Sequence, residues 1–160
     1  MKRNLPYISN GVMVHVLRQQ DDVTEILLFK RNKGNKLDNY WLHIAGGIEG
    51  DEKAWQTAIR ELHEETGLTA ERFYSANHCE QFYSVYDDAV VLLPMFVAFV
   101  LFEAKITLDH EHSDCRWFSI EEALEIAVLP NHRECLRVVK ENFIDRPPAD
   151  FLRVNLSSRA

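Results

Sequence analysis

The stretch GGIEGDEKAWQTAIRELHEETGL, residues 46–68, decides the fold predicted for this chain. If one helix covers about 51–66, then Glu61, Glu64 and Glu65 stand at i, i+3 and i+4 and share a face. Apolar residues at helical spacing fall on a neighbouring face: Ala54, Trp55, Ala58, Ile59 and Leu62. The helix is therefore expected to dock on a sheet, with its three carboxylates together at the rim.

Three carboxylates this close repel one another, and a hard divalent cation with oxygen ligands would relieve that repulsion. The alternative is a solvated acidic helix face, which is common on exposed helices. The flanking glycines favour the metal site. Gly46 and Gly47 let the backbone approach a ligand closely, and Gly67 stands where a helix-ending glycine is expected.

The fixed positions of this stretch resemble a complete Nudix box: Gly46, Glu52, Arg60-Glu61-Leu62, Glu64-Glu65 and Gly67-Leu68. The resemblance implies an α/β fold, the Nudix-type α/β/α sandwich with a mixed β-sheet, over roughly residues 5–144. We expect a single Nudix hydrolase domain over 1–145, followed by a C-terminal tail over 146–160.

Composition agrees with one globular domain, because the chain has 160 residues of which 46% are hydrophobic and 27% charged. The formal charge of −7 argues against a nucleic-acid or anionic-membrane surface. Cys79, Cys115 and Cys135 are far apart and are expected to be buried free thiols. Neither a signal peptide nor a membrane-spanning apolar run is apparent, so the expected location is the cytoplasm.

Apolar patterning predicts strands before and after the box: 5–17, 24–30, 40–45 and 89–102. The last is expected to be a buried central strand with a bulge or bend near Pro94. Residues 30–39 are predicted to be a polar loop, and His15, inside an apolar run, a structural residue.

Further along the chain, residues 116–118 are predicted to be a short strand. Ser119 is expected to cap a helix over 120–127, and Asn131 a last helix ending near Phe143.

Glu111 and His112 precede Trp117 in a pattern that resembles a Nudix loop facing the helix carboxylates. Glu111 would then be a fourth carboxylate, as ligand or base, whereas without the box it would be an exposed loop residue. His112 would support the loop. In related enzymes the backbone carbonyl at the position of Ala45 is a metal ligand.

Substrate contacts are expected from four residues. Lys30 and Arg31 would reach phosphate at the end of the second strand, unless their loop is merely solvated. Tyr83 and Tyr86 would stack on a purine or pterin ring, with core or rim packing as the alternative.

The resemblance implies hydrolysis that depends on Mg²⁺, or Mn²⁺ in its place, held by Glu61, Glu64, Glu65 and Glu111. Glu61 or Glu111 would be the base, and Arg60 would orient Glu52 or Glu61. Residues 41–49 resemble the dihydroneopterin triphosphate and dATP pyrophosphohydrolase branch.

That branch implies a nucleoside or pterin triphosphate as the small-molecule substrate, cleaved to monophosphate and pyrophosphate. The alternatives are a dinucleoside polyphosphate or nucleotide sugar as substrate, or a regulatory module without turnover. Neither nucleic acid nor membrane is an expected partner, and the protein would be a monomer or a homodimer.

Overall fold

The computed structural model describes residues 1–34 and 36–157. Its strands are β1 Tyr7–Ile8, β2 Gly11–Gln20, β3 Val23–Arg31, β4 Trp41–Leu42, β5 Ile44–Gly47, β6 Arg72–Ser84, β7 Ala89–Val100 and β8 His112–Phe118. Its helices are α1 Ala54–Thr66, α2 Ile120–Ile126 and α3 Pro130–Val139, followed by a π-helical turn, Lys140–Ile144, and a 3-10 turn, Asp150–Leu152.

One mixed sheet joins all eight strands, with the order β1-β7-β2-β3-β4 along its main path. Strand β7 runs parallel to β1 and β2, whereas the other pairs are antiparallel. Strand β5 lies beside β2, β6 beside β7 and β8 beside β3. This pairing carries the box glycines on β5 to the middle of the sheet.

Helices cover both faces of the sheet. Alternate residues of β2 are therefore buried on opposite sides of it. Val12, Val14 and Val16 pack in the core beneath α1. Met13 and Leu17 pack in the second core, beneath α2 and α3. The predicted α/β/α sandwich is confirmed.

Helix α1 has the predicted apolar face, since Ala58 and Leu62 are buried against the sheet. It ends as predicted at Gly67, whose φ of 69° is the left-handed conformation that glycine adopts without strain. Its start at Ala54 is later than predicted. A turn that includes Gly50, with φ 51°, precedes the helix, so Glu52 lies outside it.

The expected irregularity near Pro94 is present on the partner strand. The register of β6 against β7 shifts between Ser75 and Cys79, opposite Pro94 and Phe96. The prediction of buried thiols was wrong for two cysteines, because Cys79 is exposed at this irregularity and Cys115 is half-buried.

At the C-terminal end, Ser119 caps α2 as predicted and accepts a hydrogen bond from the Glu122 amide at 3.2 Å. The predicted Asn131 cap is wrong. Pro130 opens α3, and the Asn131 side chain donates instead to Glu80 Oε1 at 2.7 Å. Strand β8 begins at His112, four residues before the predicted start.

The segment after Pro148 returns to the sheet. Arg153 bridges to Tyr74, and the Val154 amide donates to the Phe73 carbonyl at 2.8 Å. Asn35, in the predicted loop 30–39, and the last tail residues, 158–160, lie outside the described residues. Within 1–34 and 36–157, none of the helices has the length and apolarity needed to span a membrane.

Candidate metal and phosphate site

The site forms where β5 passes beside helix α1. The Glu61 side chain lies directly over Gly46 and is half-buried there, on the helix face that looks toward β5. Burial raises the pKa of the Glu61 carboxyl group, against the opposing effect of Arg60. The close approach explains why a glycine is needed at position 46.

Arg60 connects the acidic residues of the box. Its Nε and Nη2 donate to the two Glu52 oxygens at 2.8 and 3.1 Å. Its Nη1 donates to Glu61 Oε1 at 2.8 Å and Glu64 Oε2 at 3.0 Å, and Nη2 reaches the Gly47 carbonyl at 2.9 Å. A fork of this kind fixes the carboxylate positions, because the planar guanidinium directs several donors at once.

Glu52 is held by this network and does not join the cleft. The hydrogen bonds from Arg60, then the one from Thr57, lower the pKa of Glu52 to about 2. Glu52 is therefore ionised, and its negative charge raises the pKa of Arg60 in turn. The ion pair of Glu52 and Arg60 thus holds Arg60 where it can donate to Glu61 and Glu64.

Glu65 is the buried carboxylate of the site. Its Oε2 atom has no hydrogen-bond partner among the described residues. Burial, followed by the charges of Glu61, Asp109 and Glu111, raises the pKa of Glu65 to about 8. A buried carboxylate among other carboxylates is unfavourable unless a cation compensates it.

The loop before β8 completes the acidic surroundings. His112 Nδ1 lies 2.8 Å from Asp109 Oδ1, and its Nε2 lies 3.9 Å from Glu65 Oε2, too far for a hydrogen bond. The Glu111 carbonyl accepts a hydrogen bond from the Asn32 amide at 2.9 Å, which ties this loop to the end of β3.

These elements surround one open cleft of about 450 Å³. Its lining includes the four predicted carboxylates together with the Ala45 and Gly46 backbone, namely Ala45, Gly46, Glu61, Glu64, Glu65 and Glu111. The structure therefore brings the predicted metal ligands into one cavity, from a helix, a strand and a loop.

The donor set fits Mg²⁺, which prefers several hard oxygen ligands. Within the described part of the chain, no three acidic, histidine or cysteine side chains converge at metal-binding distance. Arg60 holds the Glu61 and Glu64 oxygens, while Glu111 is exposed. The orphaned oxygen of Glu65 is the feature that a cation would satisfy.

A larger cavity of about 780 Å³ adjoins the cleft, and Ala45 lines both. Arg31 lines the large cavity and also a smaller one beside Glu111, and its positive charge opposes the rise in the pKa of Glu65. Tyr83 lines the large cavity, and its hydroxyl donates to Asp88 at 2.9 Å.

Two predicted substrate contacts lie elsewhere. The Lys30 Nζ atom lies 5.0 Å from the Trp41 ring centroid, and Lys30 lines neither the large cavity, nor the smaller one beside Glu111, nor the acidic cleft. Tyr86 is 81% exposed, and the Lys36 Nζ atom lies 3.8 Å from its ring centroid. Neither side chain lines the acidic cleft.

Sequence reasoning missed residues that the fold brings to the cavities. Asp109 lies beside Glu65 and His112 although it precedes the recognised pattern by two positions. Glu80 and His43 line the large cavity and are buried. The available sequence signal for Glu80 was that this glutamate lies inside a segment of strand type, now β6.

The chain is similar to known proteins in sequence and in fold. The NUDIX domain family matches residues 9–139. The chain is 30% identical over 119 residues to the asymmetrical bis(5'-nucleosyl)-tetraphosphatase of Mus musculus, covering 71% of this chain and 77% of that protein. It is 30% identical over 95 residues to the Caenorhabditis elegans protein of the same name, covering 56% of this chain and 65%, just under two thirds, of that protein.

The structure of a C. elegans Ap4A hydrolase binary complex has a TM-score of 0.70 to this chain at 22% identity, with 84% of this chain and 96% of that chain covered. At this identity the likeness concerns the fold. The curated relatives do not belong to the dATP and dihydroneopterin triphosphate branch that residues 41–49 resemble.

Proposed function

Because the chain belongs to the NUDIX family of hydrolases, we propose that it hydrolyses a phosphoric anhydride bond of a dinucleoside polyphosphate, with Mg²⁺ as cofactor. The observation that supports this most directly is that Glu61, Glu64, Glu65 and Glu111 line one cleft next to a cavity large enough for a nucleobase. The names of the mouse and nematode relatives favour the dinucleoside substrate over a nucleoside or pterin triphosphate.

Glu61, Glu64, Glu65, Glu111 and the Ala45 carbonyl would hold the metal. When bound, Mg²⁺ supplies neutralisation of phosphate charge and a lowered pKa for a coordinated water. Side chains of the protein would position the carboxylates and bind the substrate. Arg60 fixes Glu61 and Glu64 through Nη1, so these carboxylates keep their positions as the substrate enters.

Arg31 would bind a substrate phosphate, a role supported by its position on the large cavity and on the small cavity beside Glu111, and by its charge acting on Glu65. A planar guanidinium suits phosphate oxygens through paired hydrogen bonds. The −7 charge of the chain makes such a local cation useful, since the polyphosphate would otherwise be repelled. Glu61 and Glu111 are the two candidates for the base that takes the proton of the attacking water.

The test is product release from a panel of substrates, each measured with Mg²⁺ and with EDTA. The panel holds Ap4A, Gp4G, ATP, dATP, dihydroneopterin triphosphate and ADP-ribose. We expect metal-dependent cleavage of a dinucleoside tetraphosphate into a triphosphate and a monophosphate, with slower turnover of the other compounds.

Two variants separate catalysis from folding. Glu64→Gln should lower turnover by about 100-fold or more while leaving the unfolding midpoint unchanged, because an exposed metal ligand adds little to stability. Glu125→Gln, an exposed position on α2, should leave turnover unchanged. Turnover of Glu64→Gln at the level of the wild type would refute the metal site, and an inactive wild type that still binds nucleotides would support the regulatory module.

A further inference from the structure

The cavity of about 780 Å³ has a polar floor that the proposed reaction does not use. It lies between the sheet and the beginning of α3, and Met13, Leu42, Leu93 and Leu129 contribute apolar walls. Its volume is in the usual range for pockets that bind small organic molecules. In the proposed function this space receives the ring of one nucleoside, because it opens beside Ala45 and Arg31.

Glu80 supplies the charge in this floor. The residue is 3% exposed and its side chain 2%, although it lies on β6 among apolar neighbours. The Oε1 atom receives the Asn131 Nδ2 hydrogen bond at 2.7 Å and lies 3.2 Å from His132 Nε2. Within residues 1–34 and 36–157, the hydrogen bonds made to Glu80 end on Oε1, and Oε2 receives none.

Asn131 adds a second acceptor. Because its Nδ2 group donates to Glu80, its Oδ1 atom is left for another donor, and Asn131 also lines the cavity. A carboxylate taken out of water is stabilised by hydrogen-bond donors, so a floor with these acceptors favours a ligand that brings N–H groups.

His132 is the imidazole in contact with Glu80, and its ring centroid lies 5.5 Å from that of His43. His15 and His43 stack with ring centroids 4.0 Å apart, and burial lowers the pKa of His15 to about 3 and that of His43 well below its usual value. Both rings are therefore neutral at physiological pH. His43, which lines the cavity, therefore carries no charge that would compensate Glu80.

We propose that Glu80 and Asn131 select a ring with the 2-amino-4-oxopyrimidine edge, as in guanine and pterins, over adenine. That edge places a ring N–H beside an amino group, so two neighbouring donors meet the Glu80 carboxyl group and the Asn131 carbonyl. The corresponding edge of adenine has an amino donor beside an unprotonated ring nitrogen, whose lone pair would face the carboxyl oxygen. Sites built on buried hydrogen bonds discriminate strongly against a ligand that leaves a polar group unpaired.

This inference rests on the proposed function only for the identity of the ligand as a nucleoside derivative. Equilibrium binding tests it independently of turnover. We would titrate the full chain with GMP, IMP and AMP by calorimetry in the presence of Mg²⁺. We expect GMP to bind at least 10-fold more tightly than AMP. IMP, which lacks only the 2-amino group, should fall between them.

The variant Glu80→Gln should reduce the GMP-to-AMP affinity ratio to within about 3-fold of unity, because an amide offers a donor where the ring N–H needs an acceptor. Glu134→Gln is the matched control. Glu134 lines the same cavity, but its side chain is 60% exposed and pairs with Arg137, so the ratio should be unchanged.

The wild-type measurement decides the inference even if Glu80→Gln fails to fold. Equal affinity for GMP and AMP, or no binding of GMP, would overturn it, whereas cleavage of Ap4A and Gp4G at equal rates would leave the proposed function intact. Selective GMP binding without any hydrolysis would support this inference and overturn the proposed function. Faster turnover of dihydroneopterin triphosphate than of Gp4G would identify the pterin as the source of the recognised edge.

Discussion

The Glu61 carboxyl group occupies the space that a side chain at position 46 would need. A Cβ atom built on Gly46 would lie 2.0 Å from Glu61 Cδ and 2.2 Å from Oε1. Both distances are far below van der Waals contact, so a Cβ atom at position 46 would displace the Glu61 side chain from its present position. The orientation of a proposed metal ligand is thus fixed by the absence of a side chain on the neighbouring strand.

Gly46→Ala should therefore displace Glu61 and lower turnover by about 10- to 100-fold, the range seen when the supports of metal ligands are removed. Gly47→Ala is the matched control, since a Cβ atom there would have the Asn10 carbonyl oxygen at 3.9 Å as its nearest contact. The measurement is kcat/KM at saturating Mg²⁺ together with the unfolding midpoint. Equal turnover for the two alanine variants would contradict this account of Glu61.

Arg60→Lys should lower the unfolding midpoint of the metal-free protein by about 2–8 °C, because an ammonium cannot bridge Glu52, Glu61 and Glu64 at once. Added Mg²⁺ should restore part of the loss by neutralising the same carboxylates. Thermal unfolding with and without Mg²⁺ checks both points. Arg137→Lys, whose exposed pair with Glu134 is 3.5 Å long, should show neither effect.

Glu65→Gln should raise the metal-free unfolding midpoint by about 2–4 °C, since it removes a buried carboxyl group whose Oε2 has no partner among the described residues. The same change should abolish the stabilisation by Mg²⁺. The comparison is with Glu64→Gln, where the exposed side chain gives no metal-free gain. A variant that lost stability in both conditions would show that Glu65 has a structural partner.

His15→Leu should make the protein less sensitive to acid. Burial lowers the pKa of His15 from 6.5 to about 3, so between these values the unfolded chain binds a proton that the folded one does not. Stability therefore falls as the pH drops below about 6.5, by at most about 2 kcal/mol from this residue at pH 5.

The check is urea unfolding of the wild type and His15→Leu at pH 7.5 and pH 5. The wild type should lose about 2 kcal/mol more than the variant between these conditions. His78→Leu, a partly exposed position, should behave like the wild type. A wild-type free energy of unfolding that stays constant over this range would show that His15 accepts its proton in the folded state.

The box itself was readable from the sequence because its information is local. A helix places Glu61, Glu64 and Glu65 on one face through its period alone, and Gly67 ends it through its left-handed φ. The apolar run 89–102 likewise predicted a buried central strand, which is β7. The predicted cap of α3 was wrong because the Asn131 side chain hydrogen-bonds to Glu80, which lies 51 residues away in the sequence.

The helical period therefore predicted the acidic helix, and the fold class followed from the resemblance that the fixed positions of residues 46–68 carry. The tertiary structure decided what depends on contacts between distant segments. It placed Gly46 under Glu61, brought Asp109 and Glu111 to Glu65, and buried Glu80 in a cavity beside the cleft. The physical reason is that the pairing of β5, β6 and β8 sets these neighbours, and pairing register is not written in any single segment.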